Sequence, residues 1–258
     1  MDNMKIGVIC GHRIPNFVRK TEKIEVETPY GEVNIELAKL GDHEIFLLNR
    51  HGEKPSLPPH KINYLGNIWA LSACHVDCIL AVGTVGSLKK NIKPGDFVVP
   101  HDFVDFTKSR SYTFFDDNRV HVDMTDPYCP SIRNILIKAC KKQGASIKLH
   151  DKGVYLATEG PRLETPAEIK LFSQYTNVVG MTAVPEVVLA KEKGICYASL
   201  CVVCNMAAGM QSKLTADEIS VLYKKKEPFI SKILKSAIEI LDEREKCDCK
   251  NILSKASL

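Results

Sequence analysis

Residues that bind anions follow two apolar segments of the sequence. Arg50 and His51 stand directly after EIFLLN, and Thr84 lies in GTVGS, directly after CILAV. An arginine offers a charged two-pronged donor, and glycines beside hydroxyls let backbone amides approach an anion. Together they predict an anion site, although each cluster alone is also compatible with a surface ion pair or a plain turn.

Two further clusters carry groups that suit a polar organic ligand. The turn TEGPRLET, residues 158–165, contains two carboxylates and an arginine, and helix capping accounts for Thr165 but not for Glu164. The segment GMT places Met181 beside Thr182, which suits the apolar face and the hydroxyl edge of a sugar. An ordinary core role for Met181 is the alternative that these residues leave open.

The segment SLCVVCNMAAG raises a question about one amide. Its apolar, β-prone run stops at Asn205, whose side chain carries two N–H donors and one acceptor oxygen. A buried amide needs hydrogen-bond partners, and either the fold or a ligand must supply them. Asn205 is therefore a candidate ligand-binding residue.

Apolar runs and helical patterns alternate along the chain, and they predict one α/β domain with a mixed central sheet between helices. Ligands in such sheets bind beyond the carboxyl ends of the strands, where the polar clusters fall. The segment 107–129 shows no periodicity and is expected to be a long, functional loop. The predicted strands are 5–10, 33–40, 44–49, 78–83, 96–100, 153–158, 177–181 and 195–204, and the predicted helices are 61–75, 130–143, 165–175, 185–193 and 215–243, the last broken at Pro228.

Composition excludes several classes of protein. The 258 residues are 45% hydrophobic and carry a net charge of only +4, with lysines scattered rather than interleaved with aromatic residues, so a nucleic-acid binder is not expected. No apolar run approaches the roughly 18 residues of a membrane span, and MDNMKIGVIC leads directly into a strand without a signal peptide. We therefore expect a cytoplasmic protein without membrane contact.

Most of the ten cysteines lie in apolar runs, which indicates reduced, buried thiols. Cys201 and Cys204 have C-x-x-C spacing, but on a strand they would point to opposite faces and could not share a metal or a disulfide. Cys247 and Cys249 fall in a charged C-terminal tail, 246–258, outside the expected domain 1–245. They are either reactive thiols or features of a dispensable tail.

Four segments in order resemble one enzyme family. GPRLETPAEI, GMTAVPEVVLAKEKGICYASL, RHG followed by INYLGNIWAL, and VGSLKKNIKPGDFVVP resemble the trimeric purine nucleoside phosphorylases, in particular the methylthioadenosine phosphorylase branch, over about residues 4–240. The resemblance implies one α/β domain with a mixed, partly barrel-like sheet flanked by helices, assembled as a homotrimer. It also implies phosphorolysis, in which phosphate displaces a purine from C1′ of a nucleoside without a metal or organic cofactor.

The resemblance also assigns roles to residues. The first strand departs from the family's glycine-rich phosphate loop, because His12 replaces a hydroxyl donor and Arg13 stands where a glycine is expected. His12 is expected to donate to phosphate in its place. The implied phosphate site is Arg50, His51, Thr84 and Thr182; Met181 lies under the ribose, Leu163 and Met206 lie near the base, and His121 reaches the neighbouring subunit's site near the 5′ end of the sugar.

Three positions predict the preferred base. Asn205 and Ala207 replace aspartates of the adenosine-type relatives, and Glu164 replaces a small residue. A carboxylate accepts from N1–H of hypoxanthine or guanine but faces the N1 acceptor of adenine unfavourably, which can discriminate strongly. The neutral amide of Asn205 can donate to O6 and N7 as negative charge builds on the purine. We therefore expect a 6-oxopurine nucleoside phosphorylase.

The position next to the 5′ group leaves the sugar substituent open. Ala216 replaces a larger apolar residue of methylthio-specific relatives and a histidine of hydroxyl-specific ones. Inosine, guanosine and 5′-methylthioinosine therefore all remain possible substrates. Two alternatives also remain: a methylthioadenosine phosphorylase that tolerates Asn205, and a non-enzymic nucleoside-binding protein whose phosphate loop is impaired by His12 and Arg13.

Overall fold

Eleven strands form one mixed sheet in this computed structural model, which describes residues 3–52, 57–212 and 215–256. The strands are β1 (Lys5–Cys10), β2 (Glu22–Val26), β3 (Val33–Leu40), β4 (His43–Asn49), β5 (Cys78–Ser87), β6 (Phe97–Val98), β7 (Asp102–Phe106), β8 (Leu149–His150), β9 (Val154–Thr158), β10 (Val178–Gly180) and β11 (Cys196–Met206). The helices are α1 (Tyr64–Ala73), α2 (Pro130–Lys141), α3 (Pro166–Phe172), α4 (Ala183–Glu192) and α5 (Ala216–Glu239).

Strand β5 changes its neighbour halfway along its length. Its first residues, as far as Ala81, pair in parallel with β1, whereas Gly86 and Ser87 pair antiparallel with β10. Strand β11 follows the other side of β5 along its whole length. Among the described strands, residues 82–85 of β5 therefore pair with β11 alone, and the sheet forks at this point.

Helices cover both faces of the sheet, which confirms the predicted α/β fold. On one face α2 and α5 bury residues such as Ile132 and Leu234, and on the other α1 and α4 bury Leu71 and Val187. Burial on both faces explains why the central strands are continuously apolar. Cys204 belongs to the first core and Cys201 to the second, so their side chains lie on opposite faces of β11 as predicted.

Three strands were not predicted, and the ends of others differ from the prediction. β2 and β7 were not predicted because their segments EKIEV and DFVDF are charged and largely exposed at the sheet edges, and β8 was not predicted because it has only two residues. β5 and β11 run on to Ser87 and Met206 because they pair with each other beyond their apolar cores. The segment 107–129 contains neither a helix nor an extended strand, as expected.

The predicted break of the last helix at Pro228 is wrong. Helix α5 is continuous from Ala216 to Glu239, with Pro228 inside it. Proline removes one helical N–H and leaves the carbonyl of Lys224 without its usual donor. Both residues are exposed, so water can satisfy that carbonyl and the helix continues.

The C-terminal residues pack against the domain rather than extending from it. Residues Cys249–Lys255 form a 3₁₀ helix that contacts α4, and Ala256 is buried. The backbone N–H of His121 donates to the carbonyl of Ala256 at 2.8 Å. In the part of the chain that the structure describes, no helix is long and apolar enough to cross a membrane.

Candidate active site

A cavity of about 500 Å³ opens at the fork of the sheet. The parallel strands β1, β4, β5 and β11 bring their carboxyl ends to it, and β10 arrives antiparallel from the other side of the fork. Strand-end residues therefore converge on one site, as in other open α/β sheets. Of the predicted residues it is lined by His12, Arg50, His51, Thr84, Leu163, Glu164, Met181, Thr182, Asn205 and Ala207.

Arg50 is locked in place at one end of this cavity. Its side chain is 3% exposed, and Nε and Nη2 donate to the two carboxylate oxygens of Glu186 at 2.7 and 2.8 Å. Nη1 donates to the carbonyl of Val82, the first residue of the stretch of β5 that pairs with β11 alone, at 3.1 Å. Because a guanidinium has five N–H groups, two remain for an anion in the cavity.

Glu186 is the buried partner of Arg50, and sequence reasoning gave it no role. It is completely buried on α4 and also accepts from Oη of Tyr197 at 2.7 Å. Burial alone would lower the pKa of Arg50, but the ion pair with Glu186 outweighs burial and raises it, so Arg50 stays charged. The only signal in the sequence was a carboxylate within an apolar run, which does not reveal a partner 136 positions away.

The remaining anion-site groups surround Arg50. Thr182 precedes α4 and makes no side-chain cap hydrogen bond, so its hydroxyl can serve a ligand. The regular part of the helix begins only after Val184, whose φ and ψ are not helical. Thr84 opens onto the cavity from the fork. Nδ1 of His51 lies 2.7 Å from the carbonyl of Leu57 and therefore donates to it, and burial lowers the pKa of His51. Neutral His51 presents Nε2 as an acceptor.

The two unusual residues after β1 have separate environments. His12 lines the cavity, with its ring centroid 5.9 Å from that of Tyr223 on α5. Arg13 lies on a different surface depression, and its Nη2 is 3.4 Å from Oε2 of Glu36. The structure therefore brings His12, but not Arg13, to the anion end.

Met181 is held by a residue of the long loop. The buried Arg110 donates from Nη1 to the carbonyl of Met181 at 2.6 Å. A Cβ on Gly160 would lie 2.5 Å from Sδ of Met181, so the turn and the thioether are in close contact. Sequence reasoning placed the loop near function but gave Arg110 no role, since its contacts are distant in sequence.

Asn205 reaches the cavity through an irregularity of β11. The pairing with β5 shifts register between Val203 and Asn205, which a β-bulge produces, and such bulges re-aim side chains. Asn205 is opposite Gly86, where a Cβ would lie only 2.9 Å from Nδ2. Nδ2 donates to the carbonyl of Met206 at 2.9 Å. One N–H and the side-chain oxygen remain for a ligand.

Glu164, on the turn after β9, lines the same cavity as Asn205. Its Oε1 accepts from Oγ1 of Thr158 at 2.7 Å, which leaves Oε2 for a donor in the cavity. Leu163 beside it is 43% exposed, and Ala207 is 2% exposed. From Val82, which contacts Arg50, to Gly86, which faces Asn205, β5 spans about 13 Å. The cavity therefore has an anion end at Arg50 and, about one nucleoside length away along β5, an end at the amide of Asn205, and the carboxylate of Glu164 also lines it.

Three predicted residues do not join this group. Met206 and His121 are not among the described residues that line the cavity. The side chain of Ala216, the first residue of α5, lies outside the described part of the structure. Instead α5 contributes residues that sequence reasoning did not assign, because its helical pattern showed only the core-facing stripe: Ile219, Ser220, Tyr223, Lys224 and Glu227.

Comparison with known proteins identifies the family. The model of the phosphorylase superfamily matches residues 5–239. The chain belongs to this superfamily. A protein of Dictyoglomus turgidum named probable 6-oxopurine nucleoside phosphorylase is 46% identical over 256 residues, 97% of each chain. One of Methanocaldococcus jannaschii, named probable S-methyl-5′-thioinosine phosphorylase, is 45% identical over 253 residues, 97% of this chain and 98% of that protein.

A solved structure of the phosphorylase superfamily has the same fold. The methylthioadenosine phosphorylase from an antarctic soil metagenomic library superposes with a TM-score of 0.93 at 33% identity, over 100% of this chain and 93% of that one. The resemblance inferred from the four sequence segments is thereby confirmed, and with it the single-domain fold with a large mixed sheet. The partition of roles among the site residues stays a prediction.

Proposed function

We propose that this protein is a 6-oxopurine nucleoside phosphorylase. One observation carries the proposal: a single cavity has a locked guanidinium at one end and a neutral amide at the other, and a carboxylate also lines it. Phosphate at the first end and a purine at the second would place C1′ of a nucleoside between them. The named relatives with 6-oxopurine and methylthioinosine substrates support this choice.

At the anion end, the fixed donors orient phosphate for attack on C1′. The two N–H groups of Arg50 that remain can bind two phosphate oxygens, with Thr84, Thr182 and His12 as further donors. The hydroxyl of monohydrogen phosphate can donate to Nε2 of neutral His51. Met181 also lines the cavity, where it can contact the apolar face of the ribose.

At the base end, the groups match the charge that develops as the glycosidic bond breaks. Electrons of that bond move onto the purine, and the remaining N–H of Asn205 can donate to N7 or O6. Oε2 of Glu164 can accept from N1–H of hypoxanthine or guanine. Adenine would place its N1 lone pair against this carboxylate, so the site favours 6-oxopurines.

Further features of the proposal concern assembly and location. A homotrimer in which the exposed side chain of His121 completes the neighbouring site fits its position outside the cavity of its own chain. A cytoplasmic location, a reaction without an organic cofactor, and phosphate as co-substrate belong to the same proposal. We infer that inosine, guanosine and 5′-methylthioinosine are the substrates to compare.

Cleavage of methylthioadenosine is the second candidate function, because the solved relative with a TM-score of 0.93 carries that name. Methylthioadenosine differs from 5′-methylthioinosine in the base alone, and from inosine and guanosine also in the 5′ group of the sugar. A nucleoside-binding protein without turnover is the third, and the altered residue His12 motivates it.

A substrate panel separates these functions. Guanosine, inosine, methylthioinosine, adenosine and methylthioadenosine are incubated with and without phosphate, and the released base is quantified. We expect phosphate-dependent release from the 6-oxopurine nucleosides, with kcat/KM at least about a hundredfold above that of the 6-amino partners. Preferential cleavage of methylthioadenosine would overturn the assignment of Glu164 and Asn205, and binding without turnover would overturn the assignment of phosphorolysis.

A further inference from the structure

Four cysteine side chains meet at a place remote in the fold from the cavity. Cys129 precedes α2, Cys196 begins β11, and Cys247 and Cys249 lie on the C-terminal segment. Their four Sγ atoms all lie within 4.8 Å of one another, and Sγ of Cys196 is 3.3 Å from Sγ of Cys247. We propose that these cysteines form a tetrathiolate site for one zinc ion, which ties the C-terminal segment to the domain.

The spacing of the sulfur atoms suits a tetrahedral metal. Zinc–thiolate bonds are about 2.3 Å long, so the sulfurs of a regular ZnS₄ tetrahedron are about 3.8 Å apart. The observed spacing, from 3.3 Å to within 4.8 Å, encloses this value, and small side-chain movements reach it. Four mutually adjacent sulfurs match the coordination number of a closed structural zinc site, and thiolates select soft cations of this type.

Burial gives the site a rigid half and an open half. Cys129 and Cys196 are 3% and 6% exposed, and the N–H of Cys129 donates to the carbonyl of Tyr197 at 2.8 Å, which fixes the two chain segments together. Cys247 is exposed and Cys249 is half-buried. A metal can therefore enter from the solvent side and find two ligands already in place.

The position of the four cysteines bears on the expectation for the tail. Cys247 and Cys249 were expected to be either reactive thiols or features of a dispensable tail, and the bend at Asp248 brings both sulfurs to the cysteines of the domain. The C-x-C spacing alone did not show this, because its partners are 51 or more positions away. The same segment ends at Ala256, whose carbonyl accepts from the N–H of His121. Metal binding would thus also restrain the long loop.

On binding, the four thiols release their protons to solvent and no electron is transferred. A different use of the same sulfurs would be oxidation to disulfides, which requires an external oxidant. The two states differ in mass and in metal content, so one set of measurements separates them.

The test uses the full-length chain, purified under reducing conditions and supplied with zinc, followed by removal of unbound metal and elemental analysis. We expect about one zinc per chain in the wild type and under about a tenth in the double variant Cys247→Ser/Cys249→Ser. The control Cys74→Ser removes a half-buried cysteine outside the cluster and should bind like the wild type. Cobalt in place of zinc should show the thiolate charge-transfer and intense d–d absorption of a tetrahedral site.

Stability supplies a readout independent of turnover. At a zinc concentration about a hundredfold above Kd, the wild-type Tm should rise by roughly 5–10 °C, and that of the double variant should not. Backbone amide exchange at His121 should slow on zinc addition in the wild type only. Equal zinc uptake by wild type and double variant would overturn the proposal. So would a reduced wild type that takes up no zinc, including a chain whose mass before reduction shows two disulfides.

Discussion

The side chains at the two ends of the cavity differ in burial and in the number of hydrogen bonds that hold them. At the anion end, Arg50 and Glu186 are 3% and 0% exposed, joined by two hydrogen bonds, and braced by Tyr197 and by the backbone of β5. At the base end, Glu164 is half-buried and accepts one hydrogen bond, and Asn205 donates one. The groups at the anion end hold one another in place, so one substitution there should disturb several of them. At the base end, a single substitution should change one group without disturbing the others.

The largest effect is expected at the anion end, from Arg50→Lys. Lysine keeps the charge but cannot pair with Glu186 and bind phosphate at the same time, so kcat/KM for phosphate should fall by about 10²–10³-fold. The control is Arg13→Lys, because Arg13 has an exposed ion pair with Glu36 outside the cavity. Its kcat/KM should stay within about twofold of wild type. A similar fall of kcat/KM in both variants would contradict the separate roles given to Arg50 and Arg13.

At the base end, Glu164→Gln should change which base is preferred. The amide can keep the hydrogen bond from Thr158 but then faces N1–H with a donor, so kcat/KM for inosine should fall by about a hundredfold. The kcat/KM for adenosine, whose N1 is a hydrogen-bond acceptor, should not fall, and it should rise relative to the kcat/KM for inosine. Glu168→Gln is the control, since Glu168 pairs with Arg162 and caps α3. Equal losses with both nucleosides would contradict N1 recognition.

A pair of glycine variants separates the two ends along a single strand. In Gly86→Ala the new Cβ would lie 2.9 Å from Nδ2 of Asn205, so the amide must move and kcat/KM for the nucleoside should fall by about tenfold. In Gly83→Ala the nearest atom is Oγ1 of Thr182 at 3.9 Å, an ordinary contact. This second variant should leave the ratio of inosine to adenosine cleavage unchanged. Any effect should be confined to the KM for phosphate, because the atom nearest the new methyl group belongs to Thr182. A changed ratio of inosine to adenosine cleavage in Gly83→Ala would show that the two ends of the cavity do not act separately.

The smallest effect concerns His51 and pH. Burial lowers the pKa of His51 in the folded state, so between that pKa and about 6.5 the unfolded chain binds a proton that the folded chain does not. The free energy of unfolding should therefore rise with pH through this window and be constant above it. His51→Gln should remove this rise in urea denaturation curves recorded from about pH 5 to pH 7. An identical slope in both proteins would place the titrating group elsewhere.

The sequence was sufficient to predict the groups at the strand ends, because strand, turn and functional residue are neighbours in the chain. Arg50 after EIFLLN and Met181 and Thr182 after β10 were found in this way. Glu186 and Arg110 were not, because their roles depend on partners 136 and 71 positions away. No local pattern states which buried carboxylate meets which guanidinium.

Register irregularities set a second limit on sequence reasoning. Asn205 was expected at the end of a strand, but its direction is set by the shift between Val203 and Asn205 and by the space over Gly86. The fork at β5 also depends on which strands pair with each other, and apolar runs in the sequence do not indicate the pairing. The sequence thus predicted part of the chemistry of the site but not its geometry.

Arg110 has a consequence for how the cavity can adapt. Its guanidinium joins the start of α1, the end of β9, the turn after β10 and α4, because it contacts oxygen atoms of Tyr64, Thr158, Glu159, Met181 and Val184. These segments must move together, so Met181 cannot yield alone to a bulkier sugar substituent. The cavity can instead change its width where Ile219 and Tyr223 line it, because both residues lie on α5. A tilt of α5 would widen the cavity and move Tyr223 relative to His12, while the ion pair of Arg50 and Glu186 would stay in place.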